Sequence, residues 1–474
     1  MMEAKNAASE TAGSGNPEST RQQPAGESGA VSHYHMDPTR QLSSDSADRM
    51  QGHTQCTAHQ VQGDAASCVL CEQSHTIVDV ESAHRVALMV TPDASESVID
   101  QVWEAVSTIR AVLKQQPVAM TVTAQTVFLR RADDAEACRR LFAAYYGDRS
   151  PVTNFVVQPP CGGQALAIEA WALGGPGVEI RFPRPDVVTI EYDGLRWVHT
   201  GGITEAPADT AAYDQGAHEF DEVARRLKAV GATFQDVVRV WLYLGSITTI
   251  DEASGVERYR ELNRARTDFF ADQSAQGLLQ IHRDGRDYYP ASTGIGMRGP
   301  GLTVSCMALQ TDREDVRLLP LENPNQTSAF NYSKAFSAKS PKFSRAMAVI
   351  IGDYVTTWVS GTASIVNSET VHVGDAERQT EQTIDNIERL ISRENFAGHG
   401  VADAGARLED LAKVRVYVKR AEDYETCRAV CERRFGPIPA IYAVADVCRS
   451  DLLVEIEGVA FSRVNPNEAR ANEQ

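Results

Sequence analysis

Long apolar runs are absent from this sequence, and their absence limits the classes of protein that it can encode. No segment approaches the ~20 apolar residues that a membrane-spanning helix needs. The first residues, MMEAKNAASE, also lack the apolar stretch of a secretory signal. The nine cysteines are an odd number with scattered spacing, which indicates reduced thiols rather than a disulfide framework. We therefore expect a cytoplasmic protein with no membrane partner.

Positive charge is also in deficit. The chain has 46 Lys and Arg against 64 Asp and Glu, so its formal net charge is −18. Such a field repels phosphate backbones and anionic surfaces, which disfavours nucleic-acid binding. A hydrophobic share of 42% is enough for sizeable cores, and the length of 474 residues allows roughly two to four domains.

Clustered large apolar residues are missing from residues 1–75, which are rich in Ser, Gly, Ala, Gln and acidic residues. Such a composition cannot offset the entropy of ordering, so we expect a disordered tail. Within it, two cysteines and nearby candidate ligands could hold zinc: Cys68, Cys71, Cys56, His53, His59 and His75. No second paired motif at finger-like spacing supports that hypothesis, and incidental thiols are the favoured interpretation. The rest of the chain has no phosphate-binding glycine loop and no metal-ligand spacing, so we expect no metal and no cofactor.

One structural pattern occurs three times, at residues 121–147, 235–270 and 409–435. Each stretch reads as a strand, a turn at an acidic residue and a helix that ends on an aromatic. Self-similarity of this length predicts an α+β fold in which a small β-β-α-β-α-β unit is tripled within one polypeptide. The predicted units span residues 76–175, 185–312 and 338–464. A triplicated chain can form a trimer by itself, so we expect an intramolecular pseudo-trimer that is monomeric in solution.

The strands of these units show a regular alternation. In KVRVYVK, the residues Val414, Val416 and Val418 alternate with polar or aromatic neighbours, and VVRVWLYL in the second unit does the same. This pattern is typical of strands with one face buried under helices. Asp375 precedes a helical pattern and is interpreted as its N-cap.

The third unit resembles the Rid family (YjgF-like proteins) in its strand–helix pattern followed by DLLVEIEGVAF. Many members of that family are imine deaminases, and they are small trimers with pockets between subunits. The deaminases carry an arginine after a Pro-Ala pair, which holds the substrate carboxylate. The matching stretches here are Pro439-Ala440-Ile441, Pro290-Ala291-Ser292 and Pro151-Val152-Thr153. None supplies the arginine, which argues against the usual deaminase chemistry.

A closer resemblance, to the chorismatases, covers roughly residues 180–464. It is carried by four segments in order: DYYPASTGIG (287–296), FSRAMAV (343–349), WVSGTASIVNSETVHVGD (358–375) and ADVCRSDLLVEIEG (445–458). Chorismatases are hydrolases that release pyruvate from chorismate, and their fold is a Rid-like pseudo-trimer in one chain. The resemblance therefore implies a small-molecule carboxylate substrate and a pocket between the second and third units.

Two glutamates of the closing strand are the candidate catalytic residues. Alternation in Val454-Glu455-Ile456-Glu457 places Glu455 and Glu457 on one sheet face. The corresponding positions hold Ala167 and Glu169 in the first unit and Thr303 and Ser305 in the second. The resemblance maps the family's catalytic glutamate onto Glu455. A carboxylic acid kept protonated by burial and a neighbouring carboxylate could protonate an enol ether; a pair of solvated glutamates is the alternative.

Further residues of the matching segments are candidates for binding the substrate. Arginine side chains bind carboxylates through two parallel hydrogen bonds. For each candidate arginine, a surface ion pair is the alternative role. Gly361 and Ser360 end a strand where a ligand could approach the backbone, or they mark a β-bulge. The full set of substrate-binding candidates is Arg449, Arg286, Arg345, Cys448, Gly361, Ser360, Tyr289 and Tyr332. For Cys448 an inert buried thiol, and for the two tyrosines core packing, remain open alternatives.

The sequence thus favours a chorismatase-like hydrolase that uses a glutamate as acid and base. Two alternatives remain at this point. One is a Rid-type enamine or imine deaminase that uses the same cleft. The other is a non-catalytic metabolite-binding protein.

Overall fold

The computed structural model describes residues 74–283, 285–332 and 339–465. The expected disordered tail and the possible zinc ligands before residue 74 lie outside the described residues. Ser74 and His75, which we assigned to the tail, instead begin the first strand. None of the helices in the described part of the chain combines the length and the apolarity needed to cross a bilayer.

The first sheet has five strands and carries two helices, one strand more than the predicted β-β-α-β-α-β unit, because β4 and β5 both follow the second helix. Its strand order is β1-β2-β5-β3-β4, and only the β3–β4 pair is parallel. Apolar residues of both helices, among them Val102, Ile109 and Phe142, pack onto one face of the sheet with Val86 and Ile168. The elements are β1 Ser74–Val80, β2 Ala83–Val90, α1 Val98–Lys114, β3 Thr121–Leu129, α2 Asp134–Tyr146, β4 Val152–Val156 and β5 Leu166–Gly174.

The second sheet has six strands in the order β12-β9-β13-β8-β7-β6, with helices α3 and α4 packed on it. A short β10–β11 pair lies between α4 and β12. The elements are β6 Glu179–Arg184, β7 Val187–Tyr192, β8 Leu195–Ile203, α3 Ala212–Ala229, β9 Val237–Gly245, α4 Arg258–Ala275, β10 His282–Arg283, β11 Arg286–Asp287, β12 Ala291–Met297 and β13 Leu302–Thr311.

The third sheet repeats this arrangement in the order β14-β15-β16-β21-β19-β20. Asp375 caps the first helix by accepting a hydrogen bond from the backbone of Arg378, as predicted. The elements are β14 Val316–Leu321, β15 Ala346–Ile351, β16 Tyr354–Ala363, β17 Ile365–Val366, β18 Glu369–Thr370, α5 Ala376–Ile391, α6 Arg393–Gly398, β19 Leu411–Val418, α7 Tyr424–Phe435, β20 Ala440–Val444 and β21 Val454–Arg463.

The second and third sheets begin earlier in the chain than the units that we predicted from residues 185 and 338. Strand β6 joins the second sheet before residue 185, and β14 joins the third before residue 338. Both are edge strands, and β6 is mostly exposed. Both strands contain a proline, Pro183 and Pro320, which an edge strand tolerates but which weakens the strand pattern in the sequence.

The strand register defines equivalent positions in the three sheets. On the closing strands, Ala167 lies opposite Phe128, Thr303 opposite Tyr243 and Glu455 opposite Tyr417. Two residues further on, the facing pairs are Thr126 with Glu169, Trp241 with Ser305 and Arg415 with Glu457. The register therefore reproduces the equivalence that we inferred from the sequence.

The polar faces of these strands meet in the interior of the protein. In β19, the valines pack under α5 and α7, while Lys413, Arg415 and Tyr417 point away from the helices and are also buried. Lys413 and Arg415 both donate to Glu169 of the first sheet. Burial alone would raise the pKa of Glu169, but Arg415 and Lys413 lower it to about 2. A buried, ionised cluster therefore joins the first and third sheets.

We expect Glu169→Gln to destabilise the protein, because the substitution leaves two buried cations without their carboxylate. Breaking such a pair typically costs about 3–5 kcal/mol. The loss of unfolding free energy in the variant should be full at neutral pH and should shrink as the pH falls from about 4.5 towards 2. In that range the carboxyl group takes up a proton in the unfolded chain but not in the folded protein, which favours unfolding of the wild type. Denaturant unfolding at several pH values measures both effects. The control is Glu409→Gln, at a side chain that is 75% exposed; equal stability of the Glu169 variant and the wild type at pH 7 would contradict this account.

Candidate active site

Glu455 lies on β21 with its carboxyl group directly over Gly361 of the neighbouring strand β16. It is 4% exposed, and its carboxyl group forms no hydrogen bond or ion pair with any residue that the structure describes. A Cβ atom at position 361 would overlap the carboxylate oxygen of Glu455 and would lie 2.9 Å from its Cδ atom. The backbone nitrogen of Gly361 donates to the Thr293 hydroxyl of the second sheet at 2.9 Å. Glycine is therefore needed at this position for Glu455 to face the seam between the second and third sheets.

The register between β16 and β21 also shifts at this point, between Val359 and Thr362. The β-bulge that we kept as an alternative for Gly361 and Ser360 is therefore present. The carboxyl group of Glu455 lies against this glycine, and the approach of a ligand to the Gly361 backbone stays a prediction.

The environment of Glu455 favours its protonated form. Burial, and next the negative charge of Glu457, raise the pKa of Glu455 to about 8, although Arg239 and Arg345 act in the opposite direction. At neutral pH this carboxyl group holds its proton. A buried acid that has a proton and no hydrogen-bonding partner is free to donate to a bound molecule.

Glu457, which we predicted to be catalytic with Glu455, is held by ion pairs and hydrogen bonds in the structure. It accepts hydrogen bonds from Arg239 and Thr293, from Trp241 at 3.1 Å and from Tyr417 at 3.1 Å, and it pairs with Arg415 at 2.8 Å. Burial would raise its pKa, but Arg415 and Arg239, with the hydrogen bond from Thr293, hold it below the usual range. Both of its oxygens accept hydrogen bonds, so Glu457 supplies a fixed negative charge beside Glu455, and a part of its own in catalysis stays a prediction.

Three of the predicted substrate-binding residues converge beside Glu455. Arg345, at the start of β15, is buried and donates to the Tyr332 hydroxyl at 2.5 Å and to the Thr327 carbonyl at 3.0 Å. Arg449 lies against the same tyrosine, with its guanidinium carbon 5.5 Å from the ring centroid. The arrangement places two guanidinium groups against one phenol, and Arg345 is near enough to Glu455 to act on its pKa.

The Cys448 thiol is also close to this group. Burial, and next the charge of Glu455, raise the pKa of Cys448 to about 12. The thiol is therefore neutral and unreactive as a nucleophile, and it forms part of the wall of the site.

Comparison with known proteins shows the family of this chain. A family described as chorismatase FkbO/Hyg5-like, N-terminal, matches residues 182–308, and one described as endoribonuclease L-PSP matches residues 334–462. A 3-hydroxybenzoate synthase of Streptomyces hygroscopicus is 39% identical over 282 residues, which cover 57% of this chain and 77% of that protein. A chorismatase of Streptomyces hygroscopicus is 34% identical over 272 residues, 56% of this chain and 74% of the relative. The chain belongs to the chorismatase family.

A crystal structure of a chorismatase has a fold similar to that of this chain, with a TM-score of 0.58 and 23% sequence identity. The match covers 81% of this chain and 100% of that structure. Because this share exceeds the 57% covered by the sequence relative, the likeness in fold extends into the first sheet. The family consists of enzymes that process chorismate, so this member is an enzyme of that class.

Two residues of the site were missed by the sequence analysis. Arg266 of α4 is 2% exposed and donates to the Asn263 side chain at 2.5 Å and to the Ser292 hydroxyl at 3.3 Å. It forms no ion pair with a carboxylate among the described residues. Tyr259 lies two helical turns earlier, and burial, together with Cys448 and Glu455, raises its pKa. A seven-residue spacing puts both on one helix face, but the segment contains four arginines and nothing in the pattern singles out Arg266.

Three predicted binding residues of this chorismatase-family chain serve other purposes. Arg286 is exposed and donates to the His399 carbonyl at 2.6 Å, in a surface groove with Arg283 and Tyr288. Tyr289 packs in the core, with its ring 5.9 Å from Phe270 in a stacked arrangement. The structure does not bring these two side chains into the group around Glu455, and their role in substrate binding stays a prediction.

Ser360 joins the two sheets instead of facing the site. Its hydroxyl accepts from the Ser292 backbone at 2.9 Å and donates to the Ser344 carbonyl at 2.6 Å. Both hydrogen-bonding directions are used, so the side chain fixes β12 against β16.

The corresponding seams of this protein lack the acid. In the seam between the second and first sheets, Gly202 donates to Asn154 at 2.7 Å, as Gly361 donates to Thr293. The position of Glu455 is there taken by Thr303, whose hydroxyl pairs with Thr204 at 2.8 Å. In the first sheet, Ala167 occupies the position that is equivalent to Glu455. Only the seam between the second and third sheets, of those in the described chain, holds a carboxyl group at this position.

One group of side chains in the described residues could hold a metal ion, namely Glu205, His218 and Glu222. Glu222 is already paired with Arg225 and Arg226, which neutralise the charge that a cation would need. We therefore assign no metal to this group.

We expect Gly361→Ala to move the Glu455 carboxyl group by more than an ångström while the fold persists. The added Cβ meets the end of a flexible side chain, which can rotate away at low cost to stability. A crystal structure of the variant measures the displacement, and thermal unfolding measures stability. Gly398→Ala is the matched control, since its Cβ would meet nothing within 4 Å. An unmoved carboxyl group in the Gly361 variant would show that the close approach is not real.

Proposed function

We propose that this enzyme cleaves the enolpyruvyl ether of chorismate and releases pyruvate, with Glu455 as the acid. The observation that carries the proposal is the buried, protonated Glu455 carboxyl, which has no partner among the described residues and lies beside buried guanidinium groups. Burial of such a group is costly unless a bound molecule uses it, so it is characteristic of a reaction site.

The chemistry of an enol ether explains the need for this acid. Glu455 donates its proton to the methylene carbon, and the ether carbon becomes an oxocarbenium ion. The carboxylate that remains stabilises that cation electrostatically. If water then adds to the cation, the hemiketal collapses to pyruvate and a dihydroxycyclohexadiene carboxylate, and one water is consumed. If instead the bond between the ring carbon and the ether oxygen breaks, that oxygen leaves as the keto oxygen of pyruvate. The ring then loses a proton and becomes aromatic, so the products are pyruvate and a hydroxybenzoate, with no water consumed.

The arginines fit the substrate's two carboxylates. Arg345 and Arg266 are buried and form no ion pair with a described carboxylate, and Arg449 faces the same tyrosine as Arg345. Buried guanidinium groups are stabilised by anions, which they bind through paired hydrogen bonds. A dianionic substrate would therefore supply the carboxylate partners that Arg345 and Arg266 lack among the described residues.

We favour 3-hydroxybenzoate as the ring product. The 39% identical relative is named as a 3-hydroxybenzoate synthase, whereas the relatives named as chorismatases are 34% identical. The Cys448 thiol and the buried surroundings of Glu455 also make a wall that holds water away from the reacting carbon. Exclusion of water favours the outcome that consumes none.

The fold supports the one-chain arrangement that the sequence suggested. The three sheets have equivalent registers and meet at one buried cluster, so we propose that they form an intramolecular pseudo-trimer and that the chain is a monomer. The six cysteines of the described residues are free thiols, which fits the cytoplasmic location that we propose.

Glu455→Gln is expected to reduce pyruvate release from chorismate by about 10²–10⁴-fold, because the amide cannot supply the proton. Chromatography of the wild-type reaction should show 3-hydroxybenzoate with the pyruvate. Glu409→Gln, at an exposed site, should retain full activity. Full activity of the Glu455 variant would remove this residue from the mechanism. Ammonia release from 2-aminoacrylate without activity on chorismate would instead indicate a deaminase, and a chorismate-dependent rise in Tm without turnover would indicate a binding protein.

The pH dependence of the reaction should follow the protonation of Glu455. Since the pKa of this acid is about 8, kcat/KM should be level below pH 8 and should fall about tenfold per unit above it. Initial rates between pH 6 and pH 10 measure the profile, and the residual activity of Glu455→Gln should not show that fall. A rate that rises through this range would mean that the ionised carboxylate is the active form.

A further inference from the structure

One equivalent position on the three closing strands holds a carboxylate in the first and third sheets but not in the second. Glu169 and Glu457 face Thr126 and Arg415 across their strand pairs, and Ser305 faces Trp241 in the same register. Glu169 and Glu457 each bind cations from a neighbouring sheet. Ser305 therefore occupies the position at which the other two sheets have a carboxylate.

The buried cluster is consequently short of negative charge. Its cations are Lys413, Arg415 and Arg239, and its ionised carboxylates are Glu169 and Glu457. Burial lowers the pKa of Lys413 to about 8, against the attraction of Glu169, so the amine is still charged at neutral pH. Among the described residues of this cluster, three positive charges thus face two negative ones, since Glu455 is protonated.

A cavity lies where the third carboxylate would be. Its volume is about 30 Å³, more than the ~10–15 Å³ that one water needs. Ser305, Thr200 and His199 line it, and the Oγ, Oγ1 and Nδ1 atoms of these side chains are buried without a hydrogen-bonding partner in the described chain. All three residues are more than nine-tenths buried. Unsatisfied buried polar atoms around a void indicate a bound polar species.

The charges around the cavity favour an anion. Arg415 is part of the lining, and Arg85 is near enough to His199 to help burial in lowering the pKa of that imidazole to about 4. Glu169 also lines the cavity, but Lys413 and Arg415 neutralise its charge. The hydroxyls of Ser305 and Thr200 can both donate hydrogen bonds to an occupant.

We propose that this cavity binds a small monovalent inorganic anion of the size of chloride, which replaces the missing third carboxylate. The site is distinct from the group around Glu455 and does not depend on the proposed reaction. Because the anion would bind only the folded chain, it would stabilise the protein, and the stabilisation would grow with the logarithm of its concentration above Kd.

Bromide is the probe for the test, because its anomalous scattering locates it directly. A crystal of the full-length protein grown or soaked in sodium bromide should show one anomalous peak within hydrogen-bonding distance of the Ser305 hydroxyl. In solution, replacing gluconate, which is too large for the cavity, by chloride at equal ionic strength should raise Tm by about 2 °C or more. Water in the cavity without bromide, together with a Tm that does not depend on the halide, would overturn the proposal.

Variants of Ser305 separate this site from a general effect of salt. Ser305→Glu supplies a fixed carboxylate and should abolish both the bromide peak and the effect of chloride, and Ser305→Ala should weaken both. The matched control is Ser462→Ala, which removes another buried hydroxyl without a described partner, outside this cavity; it should keep the full chloride effect. Should Ser305→Glu fail to fold, the bromide peak in the wild type still decides. A chloride effect that persists unchanged in Ser305→Ala would contradict the assigned site.

Discussion

The buried ion pairs between Glu457 and the two guanidinium groups of Arg239 and Arg415 are the interaction on which the rest of the structure depends. Arg239 comes from the second sheet, and Arg415 extends from the third sheet to Glu169 of the first. Removing such charges from water is costly, and they are tolerated inside a protein only when each meets a partner. The polar faces of the strands can therefore be buried only if the three sheets come together.

The tryptophans around this cluster complete the junction. Trp171 and Trp241 of the first two sheets both pack on Trp358 of the third, with centroid distances of 5.5 and 6.3 Å. Their indole nitrogens donate to the cluster, Trp171 to Glu169 and Trp241 to Glu457. Apolar packing and charge pairing thus reinforce each other at one place, which excludes water and strengthens the electrostatic interactions.

The same cluster prepares the chemistry of the neighbouring residue. Because Glu457 is held ionised, a second negative charge two residues away on the same strand face is disfavoured, and Glu455 keeps its proton. One carboxyl group is structural and charged, and the other is neutral and available. The equivalent positions in the other sheets carry Thr303 and Ala167, so a chain with three related seams has retained an acid in one of them. Triplication within a single polypeptide permits this difference, which identical subunits could not have.

The sequence by itself determined the three repeated units, the alternation of their strands, the N-cap at Asp375 and the placement of Glu455 and Glu457 on one face. These are local properties, since strand alternation and helix capping depend on residues a few positions apart. Tertiary structure alone decided that Glu457 is engaged, that Arg266 lies in the site, and that Arg286 and Tyr289 lie outside it. The reason is distance along the chain: Glu457 is 218 residues from Arg239, and periodicity shows which face a side chain occupies but not which distant strand will meet that face.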